Sequence, residues 1–193
     1  TVSGAGNIYF NGNTSTSFAF GGAATVPVFT TAAGCNLYFA RGFTNNTNAL
    51  TLNATSTATF TGNGTITPNA AITFGHVTIS AAVNDTLASG SGAVIMKGDL
   101  TIGAGALFIA NKDFEVAGNW TNNGGTFDGG TYTVIINGLT KTIGGTSATT
   151  FYNLQIGNTA VILNYTANRN ITCNNLVFNG INTARTLTLS TGI

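Results

Sequence analysis

One short phrase keeps returning along this chain: a small polar residue, an apolar anchor, any residue, then usually a second apolar one. It reads Asn7-Ile8-Tyr9-Phe10, Asn36-Leu37-Tyr38-Phe39, His76-Val77-Thr78-Ile79 and Asp99-Leu100-Thr101-Ile102. It continues as Asn119-Trp120-Thr121-Asn122, Asn153-Leu154-Gln155-Ile156 and Asn175-Leu176-Val177-Phe178. Successive anchors lie 29, 40, 23, 20, 34 and 22 residues apart. Three of these intervals fall at 20–23, and 40 is close to two such units. The 29 and 34 call for insertions or a second short strand. A period of this size is the mark of a coil of stacked repeats.

Residues two apart on a strand share a face, so the anchor and its +2 neighbour point inward. The polar residue before the anchor suits a corner, because Asn and Asp tolerate left-handed backbone and bond their own main chain. The expected structural positions are therefore Asn7, Asn36, His76, Asp99, Asn119, Asn153 and Asn175. Glycines follow closely at Gly12, Gly42, Gly103, Gly124, Gly157 and Gly180, which fits a second corner.

Further strands are expected at Thr25–Phe29, Leu50–Leu52, Thr57–Phe60, Ala71–Phe74, Ala93–Met96, Leu107–Ile109, Phe114–Val116, Thr131–Ile136, Ala160–Leu163 and Thr186–Leu189. Nothing reads as a helix longer than a turn. The expected fold is all-β: a parallel β-helix, or β-solenoid, with rungs of about 20–23 residues. About nine rungs would make a rod on the order of 40 Å long. Residues 1–193 read as one domain, with 1–70 less regular and suited to capping or assembly. The alternative is a β-sandwich of pilin type. Cys35 and Cys173 separate the two: they precede comparable anchors several rungs apart, so a disulfide within one chain would require the sandwich.

Composition narrows the function. Only 11 of 193 residues are charged, and the net charge is +1. Six scattered Lys and Arg cannot neutralise a phosphate track, so no nucleic-acid partner is expected. Thr, Asn and Gly abound and disfavour helices. No apolar run nears the roughly 18 residues of a spanning helix, so no membrane span is expected.

The stretch from Ala117-Gly-Asn-Trp-Thr-Asn-Asn-Gly-Gly-Thr-Phe-Asp-Gly-Gly-Thr to Ile136-Asn-Gly138, with Lys141-Thr-Ile-Gly-Gly-Thr and Thr150-Phe-Tyr-Asn-Leu-Gln-Ile156, resembles repeats in large secreted β-helix surface proteins of bacteria, including adhesin-like proteins. The likeness covers about residues 93–193. It implies a right-handed parallel β-helix and an extracellular or cell-surface location. It supplies no active site.

Six of the 11 charges lie between Lys97 and Asp128. Asp113 and Glu115 are two apart, hence on one strand face, and are the best candidates for a metal or catalytic pair. The plainer reading is solvated surface, with Asp99 in the recurrent polar position. His76 is the only His and lacks a nucleophile or second ligand in its motif. No cofactor is expected. Tyr9, Tyr38 and Tyr152 are the aromatic residues best placed for a sugar platform. Recurrent Thr-x-Thr is simply good strand sequence.

The expectation is a non-enzymatic extracellular structural protein. Copies of the chain would stack head to tail into a surface filament or matrix fibre. The alternative is an adhesin segment that binds glycans or a host surface.

Overall fold

The computed structural model describes residues 5–11, 18–20, 30–46, 48–157, 163–179 and 185–189. Among them there is no helix, and every strand pairing is parallel. The chain winds as a β-solenoid with three faces.

The first face holds nine strands. In stacking order they are β1 (Gly6–Phe10), β3 (Cys35–Phe39), β6 (Thr57–Phe60), β9 (His76–Ile79), β12 (Leu100–Ile102), β15 (Trp120–Asn122), β18 (Thr140–Gly145), β20 (Leu163–Ala167) and β22 (Arg185–Leu189). The second face holds six: β2 (Phe18–Phe20), β4 (Phe43–Asn45), β7 (Gly64–Pro68), β10 (Asn84–Leu87), β13 (Leu107–Ala110) and β16 (Thr126–Asp128). The third holds seven: β5 (Leu50–Thr51), β8 (Ile72–Phe74), β11 (Val94–Met96), β14 (Phe114–Val116), β17 (Thr133–Ile136), β19 (Thr149–Ile156) and β21 (Ile171–Phe178).

The strands are short because a rung needs only one buried–exposed–buried triplet per face. Val94-Ile95-Met96, Leu100-Thr101-Ile102 and Phe114-Glu115-Val116 each bury the first and third residue. Register stacks like on like: Leu37 sits on Ala58, Ala58 on Val77, Val77 on Leu100 and Leu100 on Trp120. The 40-residue interval is thus two rungs, with Ala58 as the anchor between Leu37 and Val77. The 29-residue interval is one rung, Ile8 lying against Leu37.

The 34-residue interval has a different cause. Trp120 stacks on Ile143, and Leu154 stacks on Val134 of the third face. The phrases at Asn153 and Asn175 therefore belong to the third face and do not continue the first. The expected strands at Thr57–Phe60 and Phe114–Val116 appear with those bounds, and most others differ by one or two residues. Thr25–Phe29 lies outside the described residues, as does Ala160–Leu163 apart from Leu163, which begins β20. Within the 1–70 region, the stretch 35–68 forms three-faced rungs.

Parallel stacking of every strand among the described residues excludes the sandwich. Both cysteines are free, Cys35 buried on β3 and Cys173 half-buried on β21.

Two aromatic clusters fill the dry interior. Phe10, Phe39 and Phe60 stack in register, with centroids 4.7 and 5.2 Å apart. Higher up, Trp120 meets Phe127 and Phe151 edge-on, each at 4.8 Å. The Trp120 indole N–H donates to Thr149 Oγ1 at 3.2 Å, so this ring is buried without an orphaned donor. Beside it, Asn122 takes an inward position where the phrase elsewhere has an apolar residue. Its Oδ1 accepts the Gly124 and Gly125 N–H groups, and its Nδ2 donates to the Ala148 carbonyl. Gly145, with φ +118°, runs so close above it that a Cβ there would lie 2.2 Å from the Asn122 carbonyl oxygen.

Above β16 the second face ends among the described residues, and β18 passes through residues 146–148 directly into β19. Tyr165 is buried at this change of section. Its hydroxyl donates toward the carbonyls of Ile136 and Gly138 and accepts the Gly138 N–H.

Trp120→Ala removes the centre of the upper aromatic cluster. It is expected to cost about 3–5 kcal/mol, read as a lowered urea midpoint.

Candidate functional site

The polar residues that punctuate the rungs form files along the outside of the coil. On the first face the file runs Asn7, Asn36, Thr57, His76, Asp99, Asn119 and Thr142, one per rung. Its side chains act upward. Asn36 Oδ1 accepts the Thr57 N–H at 3.2 Å, and His76 Nδ1 accepts the Asp99 N–H at 3.0 Å. Asp99 Oδ1 accepts the Asn119 N–H at 2.7 Å, and Asn119 Oδ1 accepts the Thr142 N–H at 2.9 Å. Each side chain thereby supplies an acceptor to the main chain of the next rung at the strand entrance. At the bottom of the file Asn36 Nδ2 donates to Asn7 Oδ1 at 3.5 Å.

In this file His76 Nδ1 takes the acceptor's place that Asn36, Asp99 and Asn119 fill with Oδ1 on their rungs. Nδ1 also lies 3.6 Å from Asp99 Oδ2. Both side chains are about two-fifths exposed, at 39% and 41%.

The third face repeats the device. Asp113 Oδ1 accepts the Thr133 N–H at 2.7 Å. Asn153 Nδ2 donates to the Thr131 carbonyl at 2.9 Å, and Asn175 Nδ2 donates to Asn153 Oδ1 at 2.7 Å. Glu115 Oε1 accepts from Asn137 Nδ2 at 2.9 Å. Asp113 and Glu115 do project from one side of β14, as their spacing implies. Each carboxylate also binds the rung above it. No group of three or more His, Cys, Asp or Glu able to hold a metal ion occurs among the described residues.

Asp99, Asp113, Glu115 and Lys112 each bind a neighbouring rung. Lys112 Nζ donates to the carbonyls of Gly90 and Gly92, bracing a corner of the rung below. Burial lowers the pKa of this ammonium, and the charge of Asp113 works the other way.

The aromatic candidates separate. Tyr9 and Tyr38 stack on the first face, with centroids 4.8 Å apart and planes at 16°. Tyr9 is 59% exposed, so the pair presents a flat outer ring. Tyr152 is exposed on β19 of the third face and does not join them.

Sequence reasoning passed over Asp85 and gave Lys112 no partner. Asp85 was detectable: it stands two residues before the inward Leu87, so alternation sends it inward as well. Lys112 carried no such signal, because its carbonyl partners lie 20 and 22 residues away.

No helix among the described residues is long and apolar enough to cross a membrane. No protein-family model, curated protein or solved structure matches this chain.

The file predicts an asymmetric pair of substitutions. His76→Ala leaves the Asp99 N–H without its acceptor and is expected to cost about 1 kcal/mol. His76→Asn restores the residue type used elsewhere in the file and is expected to fall within about 0.5 kcal/mol of the parent. Urea unfolding of both variants checks the contrast.

Proposed function

We propose that this chain is a non-enzymatic structural protein of the cell surface or extracellular matrix. In this reading its rungs extend by stacking on those of further copies. The observation that carries it is the outer strand of the third face. No described strand pairs with the far side of β21, and this strand exposes Leu176 at 42%, Val177 at 49% and Phe178 at 45%. At the other end β1 is the outermost strand of the first face, with Ile8 and Phe10 half-buried. Open ladders with apolar side chains are templates for strand addition. Head-to-tail contact between unlike ends grows without closing.

Two further features support the reading. The polar side chains best suited to chemistry are engaged in rung-to-rung hydrogen bonds. A net charge of +1 leaves little repulsion between stacked units. The likeness to secreted bacterial β-helix repeats supports the extracellular location.

A second reading, a glycan-binding adhesin segment, rests on the Tyr9–Tyr38 stack. An exposed, flat aromatic pair can pack against the apolar face of a sugar ring.

Light scattering and negative-stain microscopy test the assembly. The purified chain is expected to form rods that lengthen with concentration, and Phe178→Lys is expected to hold it monomeric. A monodisperse monomer from micromolar to millimolar concentration overturns the proposal. On a glycan array, binding that disappears in Tyr9→Ala would favour the second reading instead.

A further inference from the structure

Alternation along β10 points Asp85 and Leu87 into the interior and Asn84 and Thr86 outward. Asp85 is only 1% exposed, and neither carboxyl oxygen has a close hydrogen-bond partner, the Gly64 backbone interacting with it only weakly. It is the one residue of charged type among the described buried residues.

The surroundings offer little compensation. Its stacking partners are Gly64 on β7 and Phe108 on β13, and neither carries a charge. Across the interior the same rung contributes Val77 and Ile79 from β9, with Val94 and Met96 from β11. No titratable group faces Asp85 from any of these strands. Continuing the register below Gly64 brings Arg41 into the same file, two rungs from Asp85. No ion pair joins Arg41 to Asp85.

A carboxyl in such a place has two inexpensive states: neutral and enclosed, or ionised and in water. Ionised and enclosed is the costly one. Gly64 adds no side chain to the file, so the carboxyl rests against bare backbone on that side.

We propose that Asp85 is a proton-operated latch on the second face: β7, β10 and β13 close around the neutral acid and loosen when the proton leaves. The latch is independent of end-to-end assembly and would operate in a single chain. Burial pushes the Asp85 pKa from 3.8 up to about 7, against a smaller lowering by the Gly64 backbone. The unfolded chain releases this proton near 3.8, whereas the folded chain holds it to about 7. Between those values the folded state binds more protons, so a rising pH favours opening. The stabilisation is fully present below the lower value and is lost as pH climbs through the upper one.

The test uses the whole chain and two variants, Asp85→Asn and Asp85→Val, measured from pH 4 to pH 8. Relative to Asp85→Asn, the unfolding constant of the parent is expected to rise on the order of a thousandfold across that range. Amide exchange in β10 is expected to quicken over the same interval in the parent and to stay level in Asp85→Val. Parallel stability–pH profiles for the parent and Asp85→Asn overturn the proposal. The Asp85 Cγ resonance of the parent gives an answer that needs no variant. A titration midpoint near 7 supports the latch, and a midpoint near the ordinary carboxylate value overturns it.

Discussion

Parallel, in-register stacking of one rung on the next is the constraint from which everything else follows. A parallel ladder brings a residue of one turn directly over its counterpart in the next, at about 4.8 Å. Whatever suits one rung must therefore suit its neighbours. An apolar anchor makes a continuous dry file, an aromatic makes a stack such as Phe10–Phe39–Phe60, and an Asn at a strand entrance makes a chain of backbone acceptors. The composition follows from the same constraint. Like charges piled at that spacing would repel, whereas Thr and Asn can repeat without penalty.

The same rule explains why the polar files matter more than their exposure suggests. Main-chain groups at the corners fall outside the strand ladders and need partners. Asn36, His76, Asp99, Asn119 and Asp113 supply them from the rung beneath. Three residue types perform one task because each offers an acceptor at similar reach. Substituting one such type for another in the file is then conservative, while Ala is not.

The fold was largely legible in the sequence, because period-2 alternation and corner residues are local signals. The inward phase of Leu37, Val77, Leu100 and Trp120 and the two-rung meaning of the 40-residue interval both held in the register. Assignment of strands to faces was not legible. The third face uses the polar–apolar phrase of the first at Asn153 and Asn175, so Asn153-Leu154 looked like a first-face rung and is third-face. Rung length could not settle it, since corners absorb residues: Ala58 to Val77 takes 19, whereas Ile143 to Ala167 takes 24. Of the candidate chemistry, the pairing of Asp113 with Glu115 on one side of β14 was readable from spacing. Their engagement with Thr133 and Asn137 was not, because those partners are 20 and 22 residues away.

Above β16 the section of the coil changes. β19 and β21 each run eight residues; the first half of β19 lies against β16, where Phe151 meets Phe127, and its second half stacks on β17. One unbroken strand thus spans an edge that the lower rungs turn with loop residues. A continuous ladder across that edge stiffens it, so neighbouring walls there cannot hinge apart without breaking main-chain hydrogen bonds.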